Sequence, residues 1–317
     1  MIRLSMVAVP PRDAYLAAIA QIGVENLVHY DMSHDRRKFD GFPALVARAK
    51  RFGLRVPVVE AGPPIDRIVM DKEGAAAQIE DWIALLPALA REGVEVVCYN
   101  FMPQLTADAM VVRTDFAATT RGGARTSAFR LADVTADTVP HREQAIRVER
   151  LWENLERFLR AVLPAAEAAG IRLAMHPDDP PMSPLCGLNR VMSSVEAFDR
   201  LLAISPSPAN AMTLCAGCFT QLGVDVPGLV ARFGSRIAFA HLRNIQGTPT
   251  DFVESFPDVG NLDMVALIRA FARHGVHAYA RPDHSPLLAT DTAAEEGYGF
   301  QGHLFTLGYV RGIMAAC

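Results

Sequence analysis

Short apolar runs rich in Val, Ile and Ala alternate along the chain with longer stretches in which Ala, Leu and Arg recur at helical spacing. The runs predict strands at 2–9, 26–29, 55–60, 94–100, 171–175, 211–214, 237–240 and 278–281. The amphipathic stretches predict helices at 12–22, 40–52, 74–92, 142–169, 193–204, 225–234, 261–274 and 299–315. Gly23, Gly53, Gly93, Gly170 and Gly275 each stand between a helix and the next strand, where glycine commonly ends a helix. Ser193 and Ser194 followed by Glu196 have the form of a capped helix start. Strict strand–helix alternation calls for a parallel sheet, and eight such pairs favour closure into a (β/α)8 TIM barrel over an open doubly wound sheet. No strand leads into a GxGxxG turn, which also counts against a dinucleotide-binding fold.

One stretch breaks this rhythm. Residues 101–141 read as a long loop after the fourth strand, carrying Arg113, Arg121, Arg125 and Arg130. A connection of that length suits a lid over a bound acid or a solvated surface loop. No repeat or linker divides the chain, so a single barrel domain over residues 1–317 is expected.

Composition narrows the function. Half of the residues are hydrophobic and the net charge is −4, which suits a globular enzyme and gives no footprint for nucleic acid. The N-terminal apolar run is too short for a signal peptide or membrane span, so a cytoplasmic enzyme is the expectation. The five cysteines, Cys98, Cys186, Cys215, Cys218 and Cys317, are odd in number and scattered, unlike a disulfide framework. Cys215 and Cys218 form a CxxC without the second pair that a zinc ribbon needs. Cys218, three residues past its strand, is expected to point elsewhere as a neutral thiol.

Barrel enzymes place their chemistry at the C-terminal ends of the strands. The residues that follow the last four strands are His176 in MHPDDPP, Cys215 in TLCAGC, His241 in AHLRN and Asp283 in RPDH. Singly, each has a plain structural reading: a hydrogen-bonded histidine, a core cysteine, an aspartate capping a helix. Together, from four consecutive strands, imidazole, thiolate and carboxylate form a ligand set that a divalent transition metal accepts.

At these residues the sequence resembles the mannonate dehydratase family, whose fold is a xylose-isomerase-like barrel. The resemblance rests on VCYNFMP at 97–103, HPDDPP at 176–181, GLNRVMSS at 187–194 and LCAGC at 214–218. HLRN at 241–244, an FxE…GxxDM pattern at 252–264 and RPDH at 281–284 complete it. It implies dehydration of D-mannonate to 2-keto-3-deoxy-D-gluconate, a step of glucuronate degradation. Mn2+ is the implied metal, with Zn2+, Co2+ or Fe2+ as alternatives, on His176, Cys215, His241 and Asp283. It also puts His284 and Tyr298 at the catalytic centre. Ser285 replaces a family glycine, Val253 and Pro257 stand where the family carries histidine, and His303 stands for arginine. The first 50 residues lack the Trp-rich opening of that family.

Around the metal, Arg243 and Arg281 are candidates to clamp a substrate carboxylate, or else to pair with Asp178, Asp179 or Glu60. Asn100 is a candidate to hold a substrate hydroxyl or to cap the loop that approaches the fourth helix, and Asp178 to bind substrate or to hold a histidine ring. His284 has a second reading as a partner that orients Asp283. The implied partner is a small sugar acid, with neither nucleic acid nor membrane, and self-association into a dimer is expected. Two other readings stand beside the dehydratase: an isomerase or epimerase acting on a related sugar, and a metal-stabilised binding or regulatory protein without activity.

Overall fold

The computed structural model describes residues 2–33, 35–103, 111–135, 145–291 and 297–317. Its strands are β1 Arg3–Val7, β2 Asn26–Tyr30, β3 Arg55–Glu60, β4 Val96–Tyr99, β5 Asp115–Thr119 and β6 Arg125–Arg130. They continue with β7 Arg172–Met175, β8 Asn210–Cys215, β9 Ile237–Leu242, β10 Asn244–Thr248, β11 Asp251–Ser255 and β12 Tyr279–Pro282. The helices are α1 Asp13–Gln21, α2 Phe42–Lys50, α3 Asp66–Met70, α4 Ala75–Arg91 and α5 Val148–Ala168. After them come α6 Val195–Ala203, α7 Ala216–Gln221, α8 Val226–Phe233, α9 Met264–Arg273 and α10 Phe300–Ala315. Strands β1-β12-β9-β8-β7-β4-β3-β2 form a closed barrel, and its eight strands coincide with the eight read from the sequence. These strands are buried on both faces, so they read as unbroken apolar runs such as Val56–Val59.

The chain divides into two compact units. One comprises residues 26–111 and 139–213 and carries β2, β3, β4, β7 and the start of β8. Its longest helix, α5, buries Leu151, Leu155, Phe158, Leu159 and Val162, one stripe at spacings of three and four. Phe158 meets Trp82 of α4 edge-on at 5.1 Å and Tyr99 of β4 at 5.7 Å, which closes an aromatic layer behind the strands. Gly170, at φ +70°, ends α5 as its position after the helix predicted. Ser194 caps α6 by accepting from the Ala197 amide at 3.2 Å.

The other unit comprises residues 1–25, 112–138 and 214–317. It holds β1, β9 and β12 of the barrel and a second sheet, antiparallel, in the order β10-β11-β6-β5. This sheet corrects the reading of residues 101–141 as a long loop, because two of its strands lie there. Residues 104–110 and 136–141 of that stretch, and 142–144 of the next expected helix, lie outside the described residues. β10 and β11 form a hairpin, and Val253 of β11 pairs with Ala128 of β6. β5 is largely exposed and pairs irregularly, so it lacks the alternation by which a strand is recognised. Among the described residues, no helix is long and apolar enough to cross a membrane.

Candidate metal centre

β8 extends one residue beyond its expected end, to Cys215, and α7 begins at once with Ala216. β9 delivers His241 and continues to Leu242, and β12 ends at Pro282, so Asp283 is the first residue past it. The donor atoms of Cys215, His241 and Asp283 lie within 4.8 Å of one another, and all three residues are buried. His241 Nδ1 is 3.5 Å from Asp283 Oδ2, and the Phe239 ring meets the His241 ring edge-on at 4.9 Å. Burial alone would push the Asp283 carboxyl up, but the charges of His284, Arg281 and His241 outweigh it. They hold the group well below the usual carboxylate range. Thiolate, imidazole and carboxylate converging from three strand ends fit a divalent transition cation.

His176 stands in the other unit, directly after β7 and buried. Its Nδ1 lies 2.6 Å from the Pro177 carbonyl oxygen, which can only accept. Nδ1 therefore carries the proton, and Nε2 is the nitrogen with a lone pair to offer. Next to it, Asp178 is fully buried. Its Oδ2 accepts from the Met192 amide at 2.8 Å, and its Oδ1 has no hydrogen-bond partner among the described residues. Burial raises the Asp178 carboxyl to about 6, against the opposing charge of Arg190. Arg190 is buried beneath this turn and donates to the carbonyls of Asp179 (3.3 Å) and Pro180 (3.0 Å). Asn100, past the end of β4, lines a small cavity of about 30 Å³ with Lys38, Trp82 and Tyr99. Its Oδ1 is buried without a partner among the described residues.

Arg243 and Arg281 each pair with a buried carboxylate. Arg243 donates from Nε to Glu254 Oε2 at 2.8 Å and from Nη2 to Glu254 Oε1 at 2.6 Å. Its two-point edge is thus spent on Glu254, a carboxylate that the sequence reading did not name. The remaining nitrogen, Nη1, faces Cys215 Sγ at 3.8 Å, Cys218 Sγ at 3.5 Å and Asp283 Oδ2 at 3.9 Å. Arg281 donates to the Pro282 carbonyl at 2.6 Å and pairs with Asp283 Oδ1 at 3.0 Å. Both guanidinium groups are fully buried, and both hold positive charge against Asp283.

His284 and Tyr298 adjoin the same carboxylate. His284 Nε2 lies 3.9 Å from Asp283 Oδ2, and the Tyr298 hydroxyl donates to Asp283 Oδ1 at 3.5 Å. Their ring centroids are 5.6 Å apart. Burial lowers the His284 pKa, with Asp283 opposing, and His284 Nδ1 has no hydrogen-bond partner among the described residues. Gly297 is held at φ +90° against this ring, and a Cβ there would come within 3.0 Å of His284 Nδ1. Ser285, the departure after RPDH, donates its amide to the Gly297 carbonyl at 2.8 Å and so locks the two loops together.

Four residues carry more of this arrangement than sequence reasoning gave them. Glu254 and Arg113 form a buried ion pair at 2.8 Å, so Glu254 lies between two arginines. His303 puts Nε2 2.8 Å from the Asp283 carbonyl oxygen, and so anchors the ligand loop from α10. Cys218 does not point elsewhere: its sulfur faces the same Arg243 nitrogen as that of Cys215. The signals were the FxE of β11 for Glu254 and the CxxC for Cys218, and neither revealed the partner.

The closed parallel barrel has the fold of the xylose-isomerase-like class, and the cysteine–histidine–aspartate cluster at its strand ends could hold a metal ion. Solved structures of that class share the fold at low identity. They include a xylose isomerase domain protein from Alicyclobacillus acidocaldarius (TM-score 0.66, 12% identity, 99% of each chain). The chain belongs to the D-mannonate dehydratase family, whose family model matches residues 11–146 and 137–317. It is 31% identical to the mannonate dehydratase of Shouchella clausii, over 95% of this chain and 93% of that one. It is 34% identical to that of Chromohalobacter salexigens, over 86% and 88%. The crystal structure of mannonate dehydratase from Streptococcus suis superposes with a TM-score of 0.89 at 28% identity. That match covers 100% of this chain and 95% of the other.

Proposed function

We propose that this protein is a hydro-lyase that dehydrates a sugar acid, D-mannonate, to 2-keto-3-deoxy-D-gluconate at a divalent-metal centre. The observation that carries this reading is the convergence of Cys215, His241 and Asp283 from three strand ends within 4.8 Å. His176 is proposed as the fourth ligand, through Nε2, since its Nδ1 is held by Pro177. Mn2+ is the proposed metal, and Zn2+, Co2+ and Fe2+ are the alternatives that such a donor set accepts. We place the enzyme among soluble cytoplasmic catabolic enzymes that consume glucuronate-derived acids, as a homodimer.

When bound, the cation supplies a Lewis acid that stabilises negative charge on the oxygens of the substrate. The residues do the rest. The reaction removes the proton α to the carboxylate and expels the hydroxyl from the next carbon. His284 and Tyr298 are the proton-handling pair, one taking the C2 proton and the other protonating the departing C3 hydroxyl. Both are steered by Asp283, at 3.9 Å and 3.5 Å. Asn100 and Asp178 are proposed to bind sugar hydroxyls, each with a buried oxygen that has no partner among the described residues. Arg243 and Arg281 fix positive charge beside Asp283, where they are also proposed to meet the substrate carboxylate.

The test is to strip the protein of metal, add back Mn2+, Zn2+ or Co2+, and assay hexonates and pentonates for a 2-keto-3-deoxy acid with thiobarbiturate. Cys215→Ala should lose bound metal and activity together. Full metal content in that variant would refute the proposed ligand set, and an isomerised sugar without keto-deoxy product would refute the dehydration.

A further inference from the structure

The metal-ligand cluster of Cys215, His241 and Asp283 does not include Cys218, yet the Cys218 sulfur lies within 4.8 Å of that of Cys215. Both sulfurs are buried, and both face the same nitrogen of Arg243, at 3.8 and 3.5 Å. The spacing follows from the chain. Cys215 precedes the first residue of α7, so Cys218 stands one turn further on. Helical geometry puts Cα atoms three residues apart at about 5 Å, inside the roughly 4.4–6.8 Å that a disulfide spans. Helical side chains tilt toward the N-terminus, which turns Cys218 back toward Cys215. Cys98 is occupied elsewhere, as the acceptor of the Thr213 hydroxyl at 3.3 Å, Cys186 is half-buried and Cys317 is exposed.

We propose that Cys215 and Cys218 form an oxidation site: a peroxide converts them to an intramolecular disulfide, which withdraws Cys215 from the metal. In the first step the sulfur of one cysteine takes an oxygen from hydrogen peroxide, giving a sulfenic acid and one water. In the second, the other thiol attacks that sulfur; the S–S bond forms, the S–O bond breaks, and the hydroxyl leaves as a second water with the thiol proton. Two electrons pass from the two thiols to the peroxide, and a dithiol reductant reverses the product by exchange. Arg243, fixed by Glu254, holds positive charge at both sulfurs while the attacking sulfur carries negative charge. The effect on metal rests on the proposed ligand set; formation of the disulfide does not.

The experiment treats the metal-stripped full-length protein with a few equivalents of hydrogen peroxide, alkylates it and maps the peptides by mass spectrometry. The expected result is a loss of about 2 Da on the peptide that contains both cysteines, restored by a dithiol reductant. Cys186 and Cys317 should remain alkylatable. Cys218→Ser, with Cys218→Ala as a second variant, should instead carry Cys215 past the dithiol-reducible sulfenic acid to the sulfinic acid, a gain of about 32 Da that dithiol does not remove. If the wild-type peptide gains oxygen without losing 2 Da, or both thiols stay alkylatable, the proposal is overturned. Mn2+ loaded beforehand should slow the loss at least tenfold, and the oxidised chain should take up no Mn2+. A mapped disulfide that leaves Mn2+ uptake intact would overturn the withdrawal step and count against Cys215 as ligand, while the oxidation chemistry stands.

Discussion

Glu254→Gln removes the one negative charge between Arg113 and Arg243 while keeping the shape of the side chain. In the native protein Glu254 accepts three charge-assisted hydrogen bonds, two from Arg243 at 2.8 and 2.6 Å and one from Arg113 at 2.8 Å. All three side chains are almost wholly buried. The amide keeps one acceptor oxygen, so some hydrogen bonding survives, but both guanidinium groups lose their shared carboxylate, and Arg243 keeps the more distant Asp283 Oδ2 at 3.9 Å. Breaking a buried ion pair by removing one partner typically costs about 3–5 kcal/mol, and the surviving hydrogen bonding puts this variant near the lower end. A drop in melting temperature of roughly 5–10 °C would follow for a chain of this size. Thermal unfolding followed by circular dichroism reads this directly. A control separates pair energy from shape: with Arg113→Met and Arg243→Met added, Glu254→Leu should recover a large part of the loss, because no unpaired charge remains. The metal adds an independent readout, since Arg243 faces Cys215; Co2+ bound to Glu254→Gln should show a shifted thiolate-to-metal absorption band. A stability loss below about 1 kcal/mol with an unchanged Co2+ spectrum would refute the argument that this triad holds the site, because surface-like pairs are worth no more than that.

Three further predictions test other parts of the structure. His284→Asn should keep full metal content and lose about 10²–10⁴-fold in kcat, the usual range for a group that transfers protons; equal loss of metal would make it a support for Asp283 instead. Gly217→Ala would put a Cβ 2.6 Å from Arg243 Cδ, in a side chain that Glu254 prevents from moving. It should therefore cost about 1–3 kcal/mol and weaken metal binding roughly tenfold or more, read by thermal unfolding and Co2+ titration. His29 is held at about 4, first by burial, with Lys38 also lowering it and Asp31 opposing. The unfolded chain therefore takes up a proton that the folded chain refuses between pH 6.5 and 4, and stability falls as pH falls through that window. His29→Phe should remove roughly 2–3 kcal/mol of that acid sensitivity, measured as urea stability at pH 7 and pH 4.5, and an unchanged pH dependence would contradict it.

How far the sequence could be read depended on how locally each feature is encoded. The barrel strands were legible because burial on both faces writes them as continuous apolar runs, and their ends then located Cys215, His241 and Asp283 without knowledge of any contact. The second sheet was not legible, because β6 finds its partner in β11, more than a hundred positions along the chain. A pairing over that distance leaves no mark in either segment. Cys218 was misread through a single residue of register. With the strand taken to end at 214, the CxxC fell in a loop; with β8 running to Cys215 and α7 starting at once, Cys218 becomes the next turn of a helix facing back. Arg243 was read as a substrate clamp or as the partner of a nearby carboxylate, and the carboxylate it pairs with, Glu254, escaped notice because it lies across a hairpin.

The second sheet has a topological logic that bears on what the site can vary. Its strands come from two insertions, one between β4 and α5 and the other between β9 and α9, each following the C-terminal end of a barrel strand. Those are the connections that form the catalytic rim in this fold. Arg243 is the one residue between β9 and β10, where the chain leaves the barrel for the sheet. Arg113 precedes β5 and Glu254 lies on β11, so each insertion sends one charge to that junction. The candidate metal donors thus sit at the ends of barrel strands, while Arg243, which faces Cys215 and Asp283, is held by the insertions. Val253 lies on β11 and Pro257 two residues past its end, both within the second insertion. Substitutions there leave the barrel strands that deliver Cys215, His241 and Asp283 untouched, so the cluster is built independently of the segment in which those two positions lie.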